Sequence, residues 1–514
     1  MTESFLLIGL ANVFQPTNIL AIFAGTLIGM VIGAMPGLSA TMAIALLLPL
    51  TFNMPPETGL SMLASLYLAA MYGGSIAAIL LRTPGTPAAA ATVLDGYPMA
   101  QRGEAGRALG LSLTASLIGG VISAIALLTI APLLGSIVLN FGPVEIFAIA
   151  VLGITIIGSL SQGSTVLGLL AGAIGLLLGT IGMDPTTGTP RFTFGILNLF
   201  GGIEFTVALI GLFSIPQAIR LMLRDPDASD SVVSKVTDRM LPTARQFVEL
   251  LPNSFRSAVI GVLTGLIPGT GGDTASWFAY NEARRFSKDK KAFGTGHPPG
   301  IVAPEAANNA VVGGALVPTI ALGIPGSSAT AVLLGGLMVH GILPGPTLMS
   351  EYGDVTYTLL WAVLFANVAL FLVGLVFTRA CVAVTKIPNR VVGPVIVVLS
   401  IIGAYAINNA MFDVWLMLAF GIVGFIFDEV GIPTPPLVIG LILGPVLDTS
   451  LQQSLLIGQG SWLIFLQSPI SAVLLAIALL SVLQATPLFP ALGRFVRRPN
   501  ETKGVGHDLP GSRE

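Results

Sequence analysis

The residues best suited to chemistry in this 514-residue chain cluster around two matched pairs of Pro-Gly steps. The first pair is Pro36-Gly37, followed by Ser39 and Thr41, and Pro84-Gly85, flanked by Thr83 and Thr86. The second is Pro268-Gly269, followed by Thr270, Asp273 and Thr274, and Pro325-Gly326, followed by Ser327 and Ser328. A Pro-Gly step ends a helix, and the next helix begins with unpaired N–H groups and about half a positive charge, which suits a carboxylate. Freed carbonyls and hydroxyls suit Na⁺. Gly37, Ser39, Thr41, Thr83, Gly85, Thr86, Gly269, Thr270, Gly326, Ser327 and Ser328 are therefore the candidate substrate-binding residues. Arg82, immediately before the second break, would clamp a carboxylate or else reach out to an interface. Asp273, Glu305, Asn308 and Asn309 are the candidates for cation coupling, because acids and amides within apolar sequence are costly. A Na⁺ site at Asp273 and Thr270 is one such possibility. Asp95, in Leu94-Asp95-Gly96-Tyr97-Pro98, fits a turn or cap better than a ligand. His297, His340 and His507 have no metal-binding spacing, and nothing suggests a bound cofactor.

These residues require elements that can carry them within a bilayer. The composition is 54% hydrophobic and 9% charged, with a mean hydropathy of +0.89; a soluble domain has about 25% charged residues. The chain is a polytopic membrane protein, and nothing in its charge pattern supports nucleic-acid binding. The lone Cys381 excludes an internal disulfide. Residues 1–16 lack the basic start of a cleavable signal peptide.

The Pro-Gly steps belong to a duplication. Ile28-Gly29 to Pro36-Gly37 and Ile260-Gly261 to Pro268-Gly269 both read I-G-x-x-x-G-x-x-P-G, and both precede a Gly-Gly pair (73–74 and 313–314). Each unit reads as a hairpin followed by a broken helix. In the first, a re-entrant hairpin over 19–52 has its tip at Gly33 to Thr41, and a broken helix covers 60–98. Two tilted full spans are the alternative for the hairpin. In the second, the hairpin covers 257–282 and the broken helix 301–342. Further spans are expected at 108–138, 143–160, 163–183 and 194–216, then at 356–384, 391–408, 412–427, 434–448 and 461–487. The chain thus divides into a first repeat (1–216), a polar linker (217–256), a second repeat (257–490) and a polar tail (491–514). The expected fold is all-α, with about 11–12 transmembrane elements.

Basic residues mark the cytoplasmic side. No Lys or Arg precedes Arg82, and the linker carries Arg220, Arg224, Lys235, Arg239, Arg245 and Arg256. With the N-terminus outside, these and the basic run 284–291 fall inside. The acidic Glu351 and Asp354 then fall outside, and the two repeats have opposite orientation. That is the plan of many secondary transporters, and an elevator-like movement of the hairpin-bearing core would give alternating access. An anion channel, or a membrane subunit that assembles without transporting, are the rival classes.

The sequence resembles the TctA family, the large membrane subunit of tripartite tricarboxylate transporters. The resemblance rests on Gly33-Ala34-Met35-Pro36-Gly37-Leu38-Ser39-Ala40-Thr41, Tyr72-Gly73-Gly74-Ser75-Ile76 and Thr83-Pro84-Gly85-Thr86-Pro87 through Asp95-Gly96-Tyr97-Pro98. It rests also on Arg102-Gly103-Glu104-Ala105-Gly106-Arg107, Pro268-Gly269-Thr270-Gly271-Gly272-Asp273, Pro304-Glu305-Ala306-Ala307-Asn308-Asn309-Ala310 and Gly323-Ile324-Pro325-Gly326-Ser327. It implies a multi-pass protein of the bacterial inner membrane that imports carboxylates, driven by Na⁺ or H⁺. It also implies two partners, a small four-helix membrane subunit (TctB-like) and a periplasmic binding protein (TctC-like), and admits a homo-oligomer. Arg82 departs from the family pattern, where Asn is expected, and an extra cation there would favour a more highly charged anion.

Overall fold

A computed structural model describes residues 2–485, apart from 36, 139–140, 161–163, 185–186, 224–237, 346–347 and 385–388. Pro36, Arg224, Lys235, Lys386 and the tail 491–514 lie outside the described residues, as does the side chain of Cys381. The first half contains α1 (Thr2–Val13), α2 (Pro16–Gly33), α3 (Ala40–Leu47), α4 (Pro56–Leu81), α5 (Ala90–Gln101), α6 (Ala105–Val138), α7 (Pro143–Leu160), α8 (Thr165–Gly179) and α9 (Phe205–Leu223). The second contains α10 (Ala244–Leu266), α11 (Gly271–Phe286), α12 (Pro298–Leu322), α13 (Ser328–Val339), α14 (Leu348–Glu351) and α15 (Gly353–Val384). It continues with α16 (Asn389–Asn408), α17 (Met411–Val430), α18 (Thr434–Ile457), α19 (Ile464–Gln467) and α20 (Pro469–Ala485). Among the described residues, eight helices are long and apolar enough to cross a membrane. The protein is an all-α polytopic membrane protein.

The I-G-x-x-x-G part of the repeated motif is a packing device. Cβ atoms added at Gly29 and Gly33 of α2 would stand 2.3 Å from the carbonyl oxygens of Leu66 and Ala70 on α4. One added at Gly261 of α10 would stand 2.3 Å from the Ala307 carbonyl on α12. Small residues let two backbones approach this closely, which is how helices associate where burial of apolar surface gives no advantage over lipid. Rising residue numbers meet rising residue numbers in both pairs, so each first hairpin arm runs parallel to its broken helix.

The returning arm α3 has eight residues, about 12 Å of helix, against about 30 Å of hydrocarbon. It ends in a 3₁₀ turn, Leu48–Thr51. As helix, this arm is too short to span that thickness by itself, whereas α2 is long enough. The broken helices are not interrupted in line, as the sequence suggests. After Leu81 the chain doubles back, so that the Gly85 N–H donates to the Gly74 carbonyl at 3.1 Å, eleven positions earlier. Gly326 likewise packs on Ala315, again eleven positions earlier, with a Cβ there standing 2.7 Å from the Ala315 Cα. Arg82 and Gly323 make the reversals possible in left-handed backbone, at φ 58° and 71°.

Helix pairings repeat with the two halves exchanged: α2 with α4 and α10 with α12, α6 with α12 and α15 with α4, α8 with α18 and α17 with α9, α7 with α18 and α16 with α9. The long equivalent helices α6 and α15 cross antiparallel, with Gly120 beside Asn367 and Leu113 beside Gly374. Equivalent helices thus run in opposite directions, as the charge pattern leads one to expect.

Three boundaries differ from the sequence reading. The polar stretch 217–256 is helical at both ends, where α9 runs to Leu223 and α10 starts at Ala244 behind a Thr243/Gln246 capping box. Hydropathy misses the start of α10 because it is amphipathic, with Arg245 and Glu249 paired outward at 2.9 Å. The expected span 194–216 starts instead at Phe205. The apolar residues before it form a short hairpin, Gly182–Met183 with Pro190–Arg191, and a 3₁₀ turn at Leu197–Leu199. Positive φ at Phe192, Phe194, Gly195 and Gly202 prevents a helix there. The third is α18, which continues beyond 448 to Ile457.

Asp95 ties the halves together at one end. It is fully buried and accepts from the Tyr280 hydroxyl at 2.9 Å and from the amides of Gly294, Gly296 and His297 at 2.9, 2.9 and 2.7 Å. It therefore caps a loop of the other half rather than its own turn.

Candidate functional site

The site is built from four helix starts. Ser39 caps α3 by accepting from the Met42 amide at 3.1 Å. Thr86 precedes the 3₁₀ turn Pro87–Ala89 that leads into α5. Thr270 stands at the start of α11, its hydroxyl turned back onto the Thr264 and Ile267 carbonyls at 2.5 and 2.9 Å. Ser327 caps α13 in a capping box with Thr330. These four residues line one cavity of about 640 Å³, within the range of pockets that hold small ligands.

Cross-links between the halves hold the four starts together. Thr41 and Ser328 share a hydrogen bond at 2.9 Å, joining the first hairpin to the second break. The Gly269 N–H donates to the Gly326 carbonyl at 2.9 Å, joining the second hairpin tip to the same break. A Cβ at Gly85 would stand 2.2 Å from the Gly33 carbonyl, so the first tip and first break touch through bare backbone. Among the candidates, Ser39, Thr41, Thr86, Gly269, Thr270, Asp273, Ser327 and Ser328 line the cavity. The convergence expected of two tips and two breaks is observed.

The remaining candidates lie elsewhere. Gly85 and Gly326 are buried behind the wall as backbone contacts. Gly37 is exposed, and its carbonyl accepts from the Gln217 side chain on α9. Thr83 turns back to the Leu81 carbonyl at 3.4 Å. Arg82 is exposed and does not line the cavity; its guanidinium lies 5.9 Å from the centre of the Tyr97 ring. It occupies the left-handed cap position of α4, with its guanidinium beside Tyr97 rather than at the cavity. Glu305, Asn308 and Asn309 are fully buried in α12 and do not line the cavity either. The Asn308 amide donates to the Met71 carbonyl at 3.2 Å, while a Cβ on Gly272 would stand 2.7 Å from its oxygen. Asn308 thus sits just behind Met71 and Gly272, which do line it.

The rest of the lining, most of it in an opposite wall, comes from residues that sequence reasoning passed over. Tyr67, on the wholly buried α4, shares a hydrogen bond with Ser327 at 3.2 Å. Gln217 and Arg220 of α9, Asp428 of α17 and the run Gly431-Ile432-Pro433-Thr434-Pro435 complete the lining. Arg220 is the one Lys or Arg among the lining residues, and it faces Asp428 at 3.4 Å and Glu429 at 3.8 Å. A third Gly/Pro break, at 431–435, was the available signal for this wall.

In chemical terms the cavity offers four half-helix N-termini, several hydroxyls, one guanidinium and two carboxylates. Partial positive charges of this kind hold an anion without a fixed cation at each contact. Inverted repeats that place broken helices around one polar cavity define a membrane protein of the transporter class. The chain belongs to the tripartite tricarboxylate transporter TctA family, which it matches over residues 19–439, and so is a membrane subunit of such a system. It is 36% identical over 489 residues to an uncharacterized 52.8 kDa protein in the TAR-I ttuC' 3' region of Agrobacterium vitis, covering 95% of this chain and 97% of that protein. An uncharacterized protein in the TAR-II ttuC' 3' region of the same organism is 34% identical over 232 residues, covering 45% of this chain and 95% of that protein. No solved structure matches.

Proposed function

We propose that the chain is the translocating subunit of a carboxylate importer driven by a Na⁺ or H⁺ gradient. The observation that carries this reading is the meeting of four helix starts at one cavity, two of them capped by Ser39 and Ser327 and two preceded by Thr86 and Thr270. A carboxylate there accepts from the first-turn amides and capping hydroxyls, and Arg220 supplies the full positive charge that the sequence reading assigned to Arg82. Competition for Arg220 between the substrate and the Asp428/Glu429 pair favours di- and tricarboxylates over monocarboxylates. Asp273, in the first turn of α11, lines the cavity beside Thr270, and the two would together hold a Na⁺ ion.

Two bodies meet at the cavity. Hairpins and breaks form one wall, while α9, α17 and α18 form the other. Sliding the first past the second, in the manner of an elevator, exposes the cavity to each side in turn. A periplasmic binding protein delivers the carboxylate and a small four-helix subunit completes the complex in the bacterial inner membrane. Uptake into vesicles carrying the complete complex, with an imposed Na⁺ or H⁺ gradient, tests the reading. Accumulation that follows one gradient is expected, and accumulation indifferent to both contradicts it. Asp273→Asn is expected to alter the Na⁺ dependence if Na⁺ is the driving ion.

A further inference from the structure

Glu305 is fully buried, away from the cavity, and held only by hydroxyls. Thr92 of α5 donates to its Oε1 at 2.5 Å, while Ser112 and Ser116 of α6 lie 3.2 and 3.5 Å from its Oε2. Among the described residues no Lys, Arg or His pairs with it. The charged groups on the helices around it are engaged elsewhere. Asp95 of α5 accepts from Tyr280 and loop amides, Arg107 of α6 pairs with Glu104 at 2.7 Å, and Arg256 of α10 stacks 4.6 Å from the Phe286 ring. On α10, Arg245 pairs with Glu249. On α11, Asp273 is at the cavity, and Glu282, Arg284 and Arg285 lie in the last turns, with Arg285 and Glu282 paired. On α4, Tyr72 shares a hydrogen bond with Thr378, Tyr67 meets Ser327, and Glu57 lies in the first turn. An isolated buried carboxylate is among the most costly groups a membrane protein can hold.

Counting hydrogens resolves how the site is satisfied. Ser75 of α4 lies 2.8 Å from the Tyr72 carbonyl and 2.7 Å from the Ser112 hydroxyl. Each hydroxyl has one proton to donate. If Ser75 donates to the Tyr72 carbonyl, Ser112 must donate to Ser75, and the remaining contact is made only by a protonated Glu305 donating to Ser112. If Glu305 is ionised, Ser112 donates to it, and Ser75 turns from the carbonyl to donate to Ser112. Rotating two hydroxyls therefore satisfies either charge state without moving a heavy atom. One turn along the same face of α12, both ends of the buried Asn309 amide lack a partner, so the polar cluster retains unused capacity.

The geometry points to Glu305 as a proton-binding site that loads and releases one proton, with Ser112 and Ser75 as its reversible hydrogen-bond relay. This deepens the reading of the chain as a gradient-driven carrier by assigning H⁺ to a site outside the substrate cavity. The relay ends beside Gly74, which packs against Thr86 of the cavity wall. The charge on α12 is thereby linked to the first helix break.

Infrared difference spectroscopy on the purified full chain, stepped in pH without any carboxylate, tests the site independently of transport. The expected result is a carboxylic-acid carbonyl band that titrates, ignores replacement of Na⁺ by K⁺, and is lost in Glu305→Gln. With ¹³C-labelled glutamate the band shifts, and Glu305→Asp removes it from the shifted set, which keeps the test open should Glu305→Gln not fold. No titrating band, a band unchanged in both variants, or a band that follows Na⁺ at fixed pH overturns the proposal. In vesicles, Glu305→Gln is expected to lose accumulation driven by a proton gradient while retaining carboxylate exchange.

Discussion

At the scale of single residues, the account rests on hydroxyls that cap helices and thereby aim N–H groups at a cavity. Ser327 is the clearest case, since it caps α13, meets Tyr67 and lies on the cavity wall. Ser327→Ala is expected to lower stability by about 1 kcal/mol through the lost cap, and Ser327→Gly by only a few tenths. Thermal denaturation of both variants checks the order. Arg220 and Arg82 give a second contrast. Arg220→Gln should raise the KM for carboxylate uptake, whereas Arg82→Gln should leave it near the parent value, because only Arg220 lines the cavity. The sequence pattern disclosed the capping hydroxyls because they follow Pro-Gly steps. It misplaced Arg82 because nearness along the chain carries no direction: the side chain lies exposed beside Tyr97. Arg220 was hidden by its ordinary position at the end of an apolar span, where a basic residue reads as a topology marker.

At the scale of elements, the repeated motif has two functions at different positions. Its first two glycines seat each hairpin on its broken helix, and its last glycine, Gly37 or Gly269, lies in the turn between the hairpin arms. Gly29→Leu and Gly261→Leu each drive a side chain into a backbone carbonyl that a Cβ alone would approach to 2.3 Å. Overpacking of this kind costs about 1–3 kcal/mol, so both variants should melt at lower temperature than Gly201→Leu, where no atom stands within 4 Å and the backbone is not left-handed. The hairpins and breaks were legible in the sequence because Pro-Gly interrupts apolar runs so plainly. The doubling back at both breaks was not legible. It depends on contacts between residues eleven positions apart, a hydrogen bond from Gly85 to Gly74 at the first break and packing of Gly326 on Ala315 at the second, which no local pattern encodes. The start of α10 was missed because its polar face lowers the hydropathy that identifies spans.

At the scale of the whole molecule, exchange of partners between the halves, with α6 and α15 antiparallel, gives the two-fold plan on which alternating access relies. The contact between Gln217 of α9 and the Gly37 carbonyl joins the two bodies that the elevator reading requires to slide. Cysteines replacing Gly37 and Gln217 in a Cys381→Ser background, joined by a reducible bis-thiol cross-linker long enough to replace the Gln217 side chain, should halt uptake until the linker is reduced; uptake unaffected by a demonstrated cross-link would count against the sliding motion. The central claim is that a carboxylate sits at the four helix starts. Its most direct test is the labelling rate of Ser328→Cys, again with Cys381→Ser, by a water-soluble maleimide in the presence of whichever carboxylate the complex accumulates. The account predicts that this carboxylate slows labelling and that its neutral amide analogue does not. Labelling at an unchanged rate in saturating transported carboxylate would contradict it.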